Sequence, residues 1–247
     1  MHTWHWQTWN DLPYLTCDLL APWQHGFFTQ QFSPRSPFEL VEVLNPSAQA
    51  YRVQQVHGNV VLAASGINGE AFPPADGVIS DRANQAVWAC SADCTPALIG
   101  DVKTGNVAAV HAGWRGTSQK IVPVAVQLLQ KQGSQLEDLR IALGPAIAGE
   151  VYQVSESVAI EVGKSIDSNA EIDRLMQISD SPILPDATPG RVRLDVRRVN
   201  AIQLQQLGIA PEQIAIAPYC TFQTADRFFS YRREKLKKAQ WSGIVSV

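Results

Sequence analysis

Three short segments each set a side chain able to bind a metal or attack a carbonyl among turn residues: QQVHGN carries His57, CSADCTP carries Cys94, and AVHAGWRGT carries His111. Two imidazoles and a thiolate suit Zn²⁺, and three protein ligands leave a fourth tetrahedral position for water or substrate, as in catalytic rather than closed structural sites. The same atoms suit a nucleophilic Cys94 with His111 as its base. Spacing leaves both readings open, because the three residues lie on separate segments. Small residues follow both histidines (Gly58; Ala112 and Gly113) and leave space beside each ring. Asp93, next to Cys94, is a candidate for orienting a ligand or moving a proton; the alternative is a carboxylate that caps the SADC turn.

Around this trio lie groups suited to an anion or a flat ring. The Gly113-Trp114-Arg115-Gly116-Thr117 stretch offers amides and the Arg115 fork to an anion, although it lacks the Gly-Lys-Ser/Thr ending of a nucleotide-binding loop. FFSYRREKLKK sets Phe228, Phe229 and Tyr231 beside Arg232 and Arg233, so a base could stack while an arginine meets an anion. Lys235, Lys237 and Lys238 read there as a solvated basic helix. Cys90, inside AVWAC, reads as core, as do Cys17 and Cys220. His25 reads as a satisfied structural histidine, His2 and His5 as members of a fraying terminus, and Trp4, Trp6 and Trp9 as packing.

The elements that must carry these groups are mixed. HGFFT, YRVQQVHGNVVLA, AVWACSADC, PALIGD and NVAAVHAGW read as strands meeting at polar corners, with Lys103-Thr104-Gly105-Asn106 as a hairpin turn. The first third reads as strands and loops throughout. Thr117 or Ser118 is expected to cap a helix through IVPVAVQLLQKQG that stops at Gly133, and Asp195 to cap VRRVNAIQLQQLG, which stops at Gly208. RIALGP and QIAIAP read as further strands. No regular βαβ rhythm appears, which predicts an α+β fold. No linker or repeat divides the 247 residues, so one domain over 1–247 is expected.

Composition narrows the function classes. A chain 45% hydrophobic and 17% charged folds around a substantial core. A formal charge of −3, from 20 basic against 23 acidic residues, gives no global positive field for nucleic acid. No apolar run spans a membrane, and the start MHTWHWQTWNDLPYL lacks the pattern of a secretory signal, so a cytoplasmic protein with reduced thiols is expected. Multicopper oxidation needs more histidines than five, and the weak axial ligand of a blue copper centre has only Met1 and Met176 to draw on.

Taken in order, QVHGNVV, ADGVISD, SADCTPALIGD, VAAVHAGWRGT, LGPAIAGEVYQV and CTFQTADRFFSYRRE closely resemble the YfiH family, also called the polyphenol oxidase or laccase-domain family, over nearly the whole chain. The resemblance implies a sandwich of mixed β-sheets with flanking helices, similar to cytotoxic necrotizing factor. It implies a cytoplasmic zinc enzyme, with one Zn²⁺ per chain on His57, Cys94 and His111. The activities implied are phosphorolysis of adenosine, inosine, guanosine and S-methyl-5'-thioadenosine, and deamination of adenosine. The expected partners are a purine nucleoside and phosphate, with no nucleic acid and no membrane, in a monomer or small homo-oligomer. Cysteine-dependent amide hydrolysis, as in editing a peptidoglycan precursor, and copper-dependent phenol oxidation are the alternatives. Two departures stand out: FFTQQFSPRSP has Gln30 near the position of an expected arginine, and Ala146, Ile147 and Ala148 stand where relatives often carry cysteines.

Overall fold

The hairpin that opens the chain follows from its turn chemistry. Asn10 and Asp11, both left-handed (φ 47° and 63°), join β1 (Trp4–Trp9) to β2 (Leu12–Cys17), and such a two-residue turn matches the twist of its strands. β3 (His25–Phe28) follows, then α1 (Pro37–Leu44), β4 (Gln49–Tyr51), β5 (Val61–Ala63), β6 (Gly77–Ile79), β7 (Gln85–Ser91), β8 (Thr95–Asp101) and β9 (Val107–Ala112). Next come α2 (Trp114–Ser118), α3 (Ile121–Lys131), β10 (Leu139–Leu143), β11 (Gln153–Ser155), α4 (Glu156–Gly163), α5 (Ile172–Met176), β12 (Ile183–Pro185) and β13 (Arg191–Leu194). α6 (Val196–Leu207), β14 (Ile214–Ile216), α7 (Tyr231–Glu234) and β15 (Gln240–Val245) complete the order. The computed structural model describes residues 2–67 and 72–247.

Two mixed six-stranded sheets, β1-β2-β3-β15-β7-β4 and β14-β10-β8-β9-β6-β5, face each other, and a three-stranded antiparallel sheet, β11-β13-β12, stands beside them. Strand alternation explains the layers. Leu98 and Ala109 point into the seam between the large sheets, against Phe27, Val87 and Ile244, while Ile99, Ala108 and Val110 point the other way, against Ile121, Val122 and Leu204 of α3 and α6. α1 covers the outer face of the first sheet at Trp88 and Phe28, and α4 to α6 cover the small sheet. This is the expected α+β sandwich of mixed sheets with flanking helices.

Several local expectations need correction. α1 lies in the stretch read as strands and loops; Ser36 and Glu39 form a capping box around Pro37, a start signal that the SPRSP turn residues obscured. Thr117 and Ser118 cap nothing: they belong to α2, and α3 begins after Lys120, which turns left-handed at φ 58°. Between β4 and β5, residues 52–60 are loop, not strand, apart from an isolated bridge at Gln54. The turn at Gly105, the stop at Gly133 and the Asp195 cap of α6 are present as expected.

His25 is the structural histidine anticipated. Its Nε2 accepts from the Cys17 amide at 2.9 Å and its Nδ1 lies 2.8 Å from the Trp23 carbonyl, so the neutral ring links β2 to β3. Burial lowers its pKa below the usual 6.5, against the smaller opposing effect of the Trp23 carbonyl. The unfolded chain therefore takes up the proton first, and stability falls as pH drops through about 6.5. We expect the Tm advantage of the wild type over His25→Gln to shrink between about pH 7 and 5; a constant difference would refute this.

A candidate metal centre at the seam of the two sheets

Strand ends deliver two members of the trio and a loop delivers the third. The β7–β8 turn crosses from one large sheet to the other and ends at Cys94. His111 sits in β9 opposite Pro96 of β8, next to the Thr95–Ala112 pair that adjoins Cys94. His57 lies in the loop before β5. The ligand atoms of His57, Cys94 and His111 all lie within 4.8 Å of one another. The two imidazoles meet edge-on, with ring centroids 4.9 Å apart.

Asp76, just before β6, organises this arrangement, and sequence reasoning missed it. Its fully buried carboxylate accepts from three successive amides, Val56 at 3.2 Å, His57 at 2.9 Å and Gly58 at 2.7 Å, and pairs with His111 Nδ1 at 2.9 Å. His57 is held left-handed at φ 62°, an uncommon conformation for histidine, and the converging amides form the concave nest that the carboxylate fills. The bond at Nδ1 also commits His111 Nε2 to the Cys94 side, the usual way a carboxylate orients a metal-binding histidine. ADGVISD held the signal, an acidic residue entering a buried strand.

Charge balance follows the geometry. Burial alone would raise the Cys94 thiol, but the charge of His111 and hydrogen bonds from both histidines outweigh it and bring the thiol below its ordinary range. Burial pulls His111 down, while the Cys94 thiolate and Asp76 together raise it. Asp76 is penalised by burial, yet His111 and the amides hold it below the ordinary carboxylate range. Two imidazoles and a thiolate already favoured in its ionised form fit a divalent, borderline-soft metal.

Glycine is required beside the trio for space. At φ −72° any residue could adopt the backbone of Gly113, but a Cβ there would stand 2.9 Å from Cys94 Sγ and 3.5 Å from His57 Cδ2. A Cβ on Gly116 would stand 2.8 Å from the Gly58 carbonyl, so this glycine lets α2 pack against the His57 loop. We expect Gly113→Ala to fold yet lose about tenfold or more in metal affinity, since ligand shifts of tenths of an ångström exceed metal-site tolerances; wild-type affinity by competition with a chromophoric chelator would contradict this.

The trio opens into a cleft of about 820 Å³, which the rings of Trp114, Tyr152 and Tyr231 also line. Burial pushes the Tyr152 hydroxyl up to about 12, so it is a neutral donor at physiological pH. Arg232 lies over the Tyr152 ring at 4.8 Å and donates to the Gln153 carbonyl. Arg115 is exposed and stacks on Trp114 at 4.4 Å, at the mouth rather than in the lining.

Asp93 lines the cleft at φ 88° but bonds to none of the trio and does not cap its own turn. Its oxygens accept from the Thr221 hydroxyl and the Arg232 amide, both at 2.7 Å, so it positions Arg232 while Asp76 orients the histidine. Cys90 is not core: it also lines the cleft, with Gln55 bonding both its backbone groups, and burial pushes its thiol up to about 11. Of the three rings in FFSYRRE, Tyr231 alone reaches the cleft; Phe228 is core, and Arg233 clasps the carbonyls of Thr221, Phe222 and Phe228. Gln30 contacts the backbone of residues 225 and 227, and Ala146, Ile147 and Ala148 are buried behind Asp93 and Cys220.

Comparison with known proteins identifies relatives of the chain. The chain is 54% identical to a Synechocystis sp. protein named purine nucleoside phosphorylase, with 98% of this chain and 97% of that one aligned. A Mycobacterium tuberculosis protein of the same name is 32% identical over 76% of this chain and 69% of its own. The fold matches YlmD from Geobacillus stearothermophilus with a TM-score of 0.83 and 24% identity, covering 98% of both chains. It matches YfiH from Bacillus licheniformis at 0.79 and 24%, covering 95% and 96%. The family model described as multi-copper polyphenol oxidoreductase laccase matches residues 38–246, and with these relatives it shows that the chain belongs to that family, the YfiH family.

Proposed function

We propose that this chain is a zinc-dependent purine nucleoside phosphorylase. The observation that carries the reading is the trio His57, Cys94 and His111, oriented by Asp76 and opening into a cleft walled by aromatic rings and arginine. The relatives' name, purine nucleoside phosphorylase, supplies the substrate class. The donor set favours one Zn²⁺ per chain. Of the five histidines, His25 is committed to backbone and His5 to Asp18, and Met176 packs in the small-sheet core, which leaves too few ligands for a multicopper centre. Copper on the trio is the alternative metal.

In phosphorolysis an oxygen of phosphate forms a bond to the anomeric carbon while the carbon–nitrogen bond to the purine breaks. Its electron pair leaves with the base, which takes up a proton. His57, Cys94 and His111 would hold the Zn²⁺, which would supply Lewis acidity when bound. Trp114 and Tyr152 present faces on which a purine stacks. Arg232, its backbone fixed by Asp93, and Arg115 at the mouth supply charge for phosphate. Adenosine, inosine, guanosine and S-methyl-5'-thioadenosine are the proposed substrates. Deamination of adenosine, in which water replaces the amino group and ammonia leaves, is proposed as a second activity. Residues 1–247 act as one catalytic domain, a monomer or small homo-oligomer, in the cytoplasm. All four cysteines are free thiols, and among the described residues no helix is long and apolar enough to cross a membrane.

Elemental analysis of the purified protein, with adenosine and inosine assayed with and without phosphate, tests this. About one zinc per chain and phosphate-dependent release of base support it; metal without nucleoside turnover overturns it. A second reading is favoured by the Cys94–His111–Asp76 series, which has the form of a nucleophile, a base and its orienting carboxylate, suited to amide hydrolysis. Under that reading a chelator spares activity and a thiol alkylator abolishes it.

A further inference from the structure

The segment after α7 closes one side of the cleft. α7 ends at Lys235, left-handed at φ 58°, so the expected basic helix does not form; an irregular strap runs instead to β15. Arg232, Lys235, Lys237 and Lys238 all line the same cleft as the trio. Among the described residues the one acid in the lining, Asp93, already accepts from Thr221 and from the Arg232 amide. Glu234, the last residue of α7, pairs with Arg233. Among the described residues none of these four cations has a carboxylate partner, although the chain as a whole is negative. The lysines also have ring neighbours: Lys235 Nζ lies 5.6 Å from the centre of Tyr231, and Lys238 Nζ 5.6 Å from that of Phe229.

Four uncompensated cations on one wall focus potential into the cleft and raise the local concentration of an anion. We propose that the strap lysines Lys235, Lys237 and Lys238, with Arg232, form the subsite for the phosphate co-substrate. This inference rests on the phosphorylase reading and adds to it the residues that hold the attacking group. A phosphoryl dianion is the shared chemistry, whether free or carried on the substrate; the assignment is to free phosphate, because a strap at the side of the cleft leaves the rings of Trp114 and Tyr152 to the nucleoside.

The test compares wild type with Lys235→Ala/Lys237→Ala/Lys238→Ala and with the triple Lys→Arg variant, all as zinc-loaded protein. Binding of radiolabelled inorganic phosphate is measured by equilibrium dialysis, and phosphorolysis of inosine is measured against phosphate and against inosine. The triple alanine variant should raise both Kd and KM for phosphate about tenfold at low ionic strength, leave KM for inosine within about twofold, and be restored by arginine. Unchanged phosphate binding, or an equal loss for inosine, overturns the subsite. Lysine-dependent phosphate binding without turnover keeps the subsite and overturns the phosphorylase reading. If instead the alanine variant loses affinity for inosine 5'-monophosphate while free phosphate binds as before, the wall serves a phosphate carried on the substrate and the assignment fails.

Discussion

Cys94→Ala is expected to emerge from metal-supplemented cells almost free of zinc, with turnover of adenosine or inosine reduced about 10²–10³-fold, while its Tm stays close to that of metal-free wild type. The size follows from sharing an apparent binding energy of about 10–16 kcal/mol among the ligands of a zinc site, which assigns each a few kcal/mol, with about 1.4 kcal/mol for each factor of ten. Stability should change little, because Cys94 sits in a partly buried turn and its Cβ remains. Elemental analysis, nucleoside assays and thermal melts on one preparation check all three. Retained zinc with lost turnover would instead indicate a nucleophilic thiol. Loss of neither would remove Cys94 from the site.

Asp76→Asn is expected to cost both metal and stability. The carboxylate takes three amide hydrogens and the His111 Nδ1 hydrogen at once, with no exposed surface. An amide replaces one acceptor oxygen with a donor aimed at other donors, so at least one N–H loses its partner and the left-handed turn at His57 loses its anchor. A loss of about 3 kcal/mol in stability is expected for breaking a buried charge-assisted network. Metal affinity should fall about 10–100-fold, the usual cost of removing the partner that orients a ligating histidine. Asp93→Asn is the control: its carboxylate touches Thr221 and Arg232, so it should keep its zinc and lose affinity for phosphate. Equal zinc affinity in wild type and Asp76→Asn would disprove the orienting role.

What could be read in the sequence is what side-chain type announces. His57, Cys94 and His111 declare their chemistry by identity, and small neighbours marked the room around them. Asp195 and Gly208 bracket α6 because a cap and a stop are local signals. Asp76 was not legible, because its role is to gather backbone amides from a loop about twenty residues upstream in the chain, and no spacing encodes that closure. Cys90 reads as core for a related reason: the stretch from Ala86 to Cys90 is apolar, yet Cys90 lies near the end of β7, where the sheet opens onto the cleft. The strap lysines lie in a charge run that would suit a solvated helix, and only the left-handed stop at Lys235 turns them onto the cleft. Packing of the sheets depends on contacts such as Phe27 against Leu98, distant in sequence, which local propensity does not specify.

β15 lies between β3 and β7, in the middle of the first sheet, although it is the last strand in the chain. During synthesis the ribosome therefore withholds a central partner until residues 240–245 have cleared the exit tunnel, and until then β3 and β7 expose unpaired edges. The strap that walls the cleft immediately precedes β15, so the same late segment brings both the missing strand and the cationic wall. A nascent chain that has not yet presented this segment holds the His57, Cys94 and His111 segments but neither a closed first sheet nor the cationic wall.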